Sequence, residues 1–299
     1  MPTRVMDKTF VVLTALASLV IVALLGIILG NIVMHGWARL SWEFLTAVPK
    51  EGMTEGGIFP AIYGTTLLVL LMSVFVVPLG VCVAIYFSEY ADRRSRLYRW
   101  SRGAVDNLAG VPSIVFGLFG LGFFVKGVGA AIDATVFGNQ LTYGQPAILW
   151  AALTLAVLTL PVVIVSVEEA LRAVPQSFRD ASSALGATKS QTIFRVVLPH
   201  ALPGVLTGGI LAVSRGAGEV APILFVGAAY FLPDLPTRLN HQFMELGYHV
   251  FVLTTQSPDV EQTKPLLYTT VLVLLGLTFL LNVLAILIRS RLRLSLGRT

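Results

Sequence analysis

The sequence predicts an all-α integral membrane protein with six transmembrane helices. Three observations predict it: an apolar composition, long uncharged runs, and a one-sided distribution of Lys and Arg. Of the 299 residues, 56% are hydrophobic and 12% are charged, about half the charged share of an average soluble domain. Mean hydropathy is +0.82. A run of about 20 apolar residues crosses a bilayer as a helix. A helix satisfies its own backbone in lipid, and these runs are too long for barrel strands.

Six runs occupy approximately residues 10–34, 62–87, 104–125, 146–167, 203–229 and 266–288. The first follows Arg4 and Lys8 and exceeds the apolar core of a cleavable signal, so it reads as a retained span. The fifth is interrupted by polar residues. Lys and Arg set the orientation. Fifteen lie in the N-terminal tail, in the second and fourth connections (Arg93, Arg94, Arg96, Arg99, Arg102; Arg172, Arg179, Lys189, Arg195) and in the C-terminal tail (Arg289, Arg291, Arg293, Arg298). Five lie on the other side: Arg39, Lys50, Lys126, Arg238 and Lys264. Both termini are therefore expected in the cytoplasm, which agrees with an even span count. No fixed-period repeat or linker divides the chain, so residues 1–299 read as one membrane domain.

The connection over residues 168–202 is amphipathic and lacks a long apolar run. It contains Asp180-Ala181-Ser182, then Gly186, then Val196-Val197-Leu198-Pro199. This reads as a short helix, a glycine stop, a second helix and a proline turn back into the membrane. Ala181, Ser182 and Ala184 offer a smooth face to a partner groove. Pro199 and Pro203 are expected to mark helix boundaries. Glu168 and Glu169, at a span end, read as a solvated face.

This segment resembles the coupling loop of ABC-importer permeases. Their pattern is Glu-Ala-Ala, three residues, Gly, nine residues, then Ile-x-Leu-Pro. The spacing matches throughout; Asp180, Ser182 and Val196 depart mildly from it. The resemblance implies a type I ABC importer permease fold. It also implies that Asp180, Ala181, Ser182, Gly186, Leu198 and Pro199 dock this chain on a separate cytoplasmic ATPase. An ordinary interfacial helix is the plain alternative.

The fifth run carries Ser214-Arg215-Gly216-Ala217-Gly218-Glu219-Val220-Ala221-Pro222. Ionisable residues inside a span are costly and usually face a bundle interior or an aqueous path. Arg215 and Glu219 are four apart and can pair on one helix face. Either they only neutralise each other and fix packing, or they line the path of an anion, for which a guanidinium fork is suited. The third run adds Gly110-Val111-Pro112-Ser113-Ile114-Val115-Phe116-Gly117, where Pro112 loosens the helix and Ser113 can offer a hydroxyl.

Together these two segments resemble the phosphate-specific (Pst) permeases. The form Gly218-Glu219-Val220-Ala221-Pro222-Ile223 is similar to the PstA type. Likeness extends through Thr65-Thr66, Pro78-Leu79-Gly80 and Glu89-Tyr90-Ala91 of the second span. The resemblance implies a heterodimer with a PstC-like permease, two copies of a PstB-like ATPase, and a PstS-like phosphate-binding protein. It implies Arg215, Glu219 and Ser113 on the substrate path.

Other chemistry is not expected. The one cysteine, Cys82, reads as a small buried apolar residue. His241 and His249 lack metal-ligand spacing, and His200 reads as a loop or coupling-face residue. Gly186-Ala187-Thr188-Lys189-Ser190 lacks the first glycine and preceding strand of a phosphate-binding loop. ATP and Mg therefore belong to the partner ATPase, and this chain binds no cofactor and has no catalytic residue. The basic residues sit beside apolar segments, facing membrane lipid and not nucleic acid. The outer connection, 230–265, is expected to be mostly external, with 241–254 an interfacial candidate for docking the binding protein. A sulfate or molybdate permease, an ion-gradient-driven secondary transporter and a non-transporting sensor are the competing readings.

Overall fold

A computed structural model describes residues 2–50, 55–257 and 260–296. Arg298 lies outside the described residues, as do the side chains of Arg4 and Arg293. Among the described residues six helices are long and apolar enough to cross a membrane: Lys8–Arg39, Phe59–Tyr90, Ser113–Val136, Ile148–Ala173, Lys189–Gly216 and Thr263–Arg291. The first is mostly the continuous helix α1 (Pro2–Gly36). A short helix α2 (Trp42–Thr46), capped by the Ser41 hydroxyl, and a two-stranded hairpin, β1 (Pro49–Lys50) with β2 (Glu55–Gly56), lead into the second span.

The second span is α3 (Phe59–Ile85), closed by a π-helical turn at Tyr86–Tyr90. It packs along the fourth, α7 (Ile148–Ala173), and α7 packs in turn on the fifth. Close approach explains this pairing. A methyl group on Gly80 of α3 would meet Val163 of α7 at 2.5 Å, and one on Gly204 would meet Ala170 at 2.2 Å. Glycines at such contacts let helix backbones approach. The core therefore centres on α7, which buries Trp150, Leu155, Val163, Val167 and Leu171. The first span sits outside it against the last helix, α12 (Val260–Leu296), with its side chains exposed. Cys82 is exposed too, not buried as expected, because it lies on the outward side of α3.

Two span boundaries differ from the sequence reading. The third span does not run from 104 to 125. Residues Arg96–Leu108 form a separate amphipathic helix, α4, and the span begins at Ser113 as α5 (Ser113–Phe119). It continues through a π-helical stretch, Gly120–Gly129, to α6 (Ala130–Val136). Arg102, Asp106 and Asn107 make Ala104–Leu108 too polar for lipid, and extended Pro112 (ψ 138°) breaks the chain. The fifth span does not run from 203 to 229. It begins at Lys189 and ends at Gly216. After α8 (Gln176–Ala184), the chain turns at Gly186, whose φ of +82° favours glycine.

The fifth span then comprises α9 (Lys189–Thr192), a π-helical turn at Ile193–Val197, and α10 (Leu198–Gly216). Pro199 and Pro203 consequently lie within one continuous span and mark no boundary. The Leu198 N–H reaches the Ile193 carbonyl, five residues back. The helical ladder is thus already offset where Pro199 enters without a donor. The connecting segment shrinks from 168–202 to residues 174–188.

Candidate functional site

The predicted coupling segment forms α8, flanked by Pro175 and Gly186. Asp180, Ala181, Ala184 and Gly186 are exposed, and Ser182 is half-buried with its hydroxyl 2.9 Å from that of Thr192. Leu198 and Pro199 belong to the start of α10 in the fifth span and are half-buried. Phe178 of α8 lies over His200, with ring centroids 5.0 Å apart.

Arg179, one residue before the motif, holds α8 in place. Its guanidinium donates to the carbonyls of Val174 (2.7 Å) and Leu171 (2.9 Å) and to Glu89 of the second span (2.8 Å). Near the end of α7, Glu168 is buried rather than solvated, with its side chain 3% exposed. Its two oxygens accept from Arg102 of α4 and Arg172 of α7. Glu169, by contrast, is exposed as expected. Burial of a carboxylate requires such partners. A polar cavity of about 670 Å³ behind α8 is lined by Ser88, Glu89, Arg172, Arg179 and Lys189. In the sequence, Arg102, Arg172 and Arg179 signal topology and not pairing. The four-residue spacing of Glu168 and Arg172 was the one available hint; Arg102 and Glu89 are long-range partners.

The second region lies at the end of the fifth span. Arg215 occupies the last turn of α10, and Glu219 lies just beyond it. The Arg215 Nε donates to Glu219 Oε1 at 3.4 Å, with side chains 40% and 22% exposed. Among the described residues no other partner takes the remaining guanidinium donors. Gly216 lets Met72 of α3 approach closely, since an added methyl would meet its sulfur at 2.5 Å. Ser214 donates to Asn282 of α12 and fixes this turn on a third helix.

Ser113 opens α5, and α5 meets this region through Gly117. A methyl there would clash with the carbonyls of Pro222 (2.9 Å) and Ala221 (3.1 Å). The two sequence segments are thus packed together, although no hydrogen bond joins Ser113 to Arg215 or Glu219 among the described residues.

After Gly216 the chain leaves the helix and folds back into the protein. The predicted external connection is interior in its middle, at 243–247, where Phe243 and Leu246 have no exposure, while 237–239 and 254–256 are exposed. Ala147 N–H donates to Val226, and Ala229 N–H to Phe243. Helix α11 (Leu246–Thr255) is capped by Glu245, whose carboxylate accepts from the amides of Gly247 (2.8 Å) and Tyr248 (2.6 Å). Burial pushes the Glu245 carboxyl up to about 7, against the pull of these amides and of Thr65. Burial pushes the His249 imidazole down to about 4. Both of its ring nitrogens lack a hydrogen-bond partner among the described residues. His241 is half-buried beside a cavity of about 590 Å³ that Asp234, Asn240 and Gln242 also line.

Comparison with known proteins follows the same segments. The family described as "Binding-protein-dependent transport system inner membrane component" matches residues 76–294. A "Phosphate transport system permease protein PstA 1" of Mycobacterium tuberculosis (strain CDC 1551 / Oshkosh) is 37% identical, covering 73% of this chain and 68% of that one. A "Probable ABC transporter permease protein YqgI" of Bacillus subtilis (strain 168) is 29% identical over 86% of this chain and 87% of its own. Among solved structures, a bacterial ABC transporter involved in the import of the acidic polysaccharide alginate shares the fold. Its TM-score is 0.64 at 14% identity, covering 93% of this chain and 96% of that one.

Proposed function

The chain belongs to the family of inner membrane components of binding-protein-dependent transport systems and is a permease subunit of an ABC importer, and on that premise we propose that its cargo is inorganic phosphate. The observation that carries the substrate is Arg215, with its long, half-exposed contact to Glu219. A guanidinium held by one weak contact keeps a donor fork for a tetrahedral oxyanion. Glu219 moderates the charge, so that an anion is held weakly enough to leave. It also accepts a proton-bearing phosphate hydroxyl, which a fully deprotonated oxyanion such as sulfate does not offer. The PstA relatives, 34% and 37% identical, support this reading.

The remaining assignments follow from the same proposal. The chain sits in the inner membrane with both termini cytoplasmic, as the Lys and Arg bias requires. It forms half of the path with a PstC-like permease. Two copies of a PstB-like ATPase, which carry the ATP and Mg, engage Asp180, Ala181, Ser182 and Gly186 on and beside α8. Leu198 and Pro199 support that surface from the span behind it. A PstS-like protein delivers phosphate to the opposite face. Closure of the ATPase pushes α8, and the Arg179 clamp carries the displacement into the second and fourth spans.

The test is labelled-phosphate uptake in cells lacking their own high-affinity importer, supplied with this chain and its partners. Uptake is expected to require an intact ATPase and to ignore excess sulfate and molybdate. Competition by either anion would move the substrate, and undiminished uptake with an inactive ATPase would overturn the coupling role of α8.

A further inference from the structure

Helix α4 has an outward face that the transport mechanism leaves unused. It is 13 residues long and joins the end of the second span, Tyr90, to the start of the third, Ser113. It therefore lies at a membrane boundary. Its inner side is fixed. Tyr98 packs edge-on against Phe87, with centroids 5.5 Å apart, and Arg102 pairs with buried Glu168. Its outer side carries two parallel strips at the spacing of helix neighbours. One is apolar: Leu97, Trp100 and Ala104, with Trp100 80% and Leu97 65% exposed. The other is Arg96, Arg99 and Gly103. Together with Asn107, they line a shallow cavity of about 660 Å³, and nothing fills the space over Gly103.

The charge is one-sided. Arg93, Arg94, Arg96 and Arg99 are exposed and make no ion pair among the described residues, while Asp106 is taken by Arg102. An exposed tryptophan beside free guanidinium groups suits the level of lipid headgroups, where an amphipathic ring rests and arginine reaches phosphate. A helix with a basic face and an apolar face binds the interface in its plane.

We propose that α4 is a docking surface for anionic phospholipid, with Leu97 and Trp100 in the acyl boundary and Arg96 and Arg99 on the headgroup phosphate. Because Arg102 joins α4 to Glu168, lipid held there sits one ion pair away from the root of α8. The proposal needs the six helices to be spans and does not need phosphate as cargo.

The test uses the full chain in its permease assembly, in phosphatidylcholine nanodiscs holding a small fraction of brominated lipid. The Trp100 signal is the difference between wild type and Trp100→Phe. At equal dilution, brominated phosphatidylglycerol is expected to quench Trp100 several-fold more than brominated phosphatidylcholine, because each arginine favours an anionic lipid by about fivefold. Arg96→Gln with Arg99→Gln should equalise the two lipids while Trp100 stays quenched. Added inorganic phosphate should not reverse the preference; reversal would reassign the arginines to a free anion. Equal quenching in wild type, or none by either lipid because protein covers the face, would overturn the proposal without touching the transport assignment.

Discussion

The α8 end of the molecule and the end of the fifth span both use arginine and glutamate, and they use them in opposite ways. At the α8 end Glu168 is buried, and both of its oxygens are taken by arginines from two helices. Arg179 spends its donors on two carbonyls and on Glu89. At the end of the fifth span, Arg215 has one contact of 3.4 Å to a partly exposed Glu219. Satisfied charges fix geometry, because removing an arginine leaves the buried Glu168 carboxylate short of a partner. A loosely paired charge keeps capacity for an incoming ion. The degree of satisfaction, rather than the residue types, separates the scaffold from the proposed path.

The sharpest way to break this comparison is Glu168→Ala. It leaves Arg102, which keeps Asp106, and the partly exposed Arg172 without their shared carboxylate, and loss of such charge-assisted hydrogen bonds costs about 1.5–3 kcal/mol. The variant is expected to lose assembly and to melt well below wild type in detergent. An unchanged melting midpoint would mean that the α8 end is no more structural than the fifth-span end.

Arg215→Ala should behave in the reverse manner. Melting and assembly are expected to stay near wild type, since the contact is exposed and worth less than about 1 kcal/mol. Phosphate uptake is expected to fall roughly a hundredfold, the effect of losing charge-assisted hydrogen bonds to the anion. Wild-type uptake in that variant would return the pair to a packing role.

The smallest effect concerns pH and the interior of the outer connection. Folded Glu245 holds its proton up to about 7, against an ordinary 4.5, so this group makes stability fall as pH rises from about 4.5 to about 7. Folded His249 resists protonation down to about 4, against 6.5, so it makes stability rise over about 4 to 6.5. The two slopes oppose each other over most of that range. Glu245→Gln should expose the rising slope and His249→Leu the falling one, each read from melting midpoints across pH. Parallel, flat profiles in both variants would show that neither group titrates with folding.

Much of the fold was legible in the residues. Six spans follow from apolar runs, since a bilayer accepts little else at that length. The spacing from Asp180 to Gly186 located α8 and its left-handed stop. Arg215 and Glu219 stood out because ions in an apolar run are costly. Other features were hidden for physical reasons. Hydropathy averaged over a window joined Ala104–Leu108 to the third span, although Pro112 separates them. It also extended the fifth span past Gly216, because residues 217–229 are apolar for burial in a folded-back chain and not for lipid.

The class, the number of spans, the position of α8 and the charge pair in the fifth span are readable from the residues alone. Each of these depends on neighbours within about 20 residues or on a single local spacing. Which charges are satisfied depends on the packed helices. Glu89 meets Arg179 across 90 positions, and Glu168 meets Arg102 across 66. The same holds for the burial of Glu245 and His249 and for the outward turn of Trp100. Burial and pairing are properties of packed helices, and packing is set by which faces meet, which no local run of residues encodes.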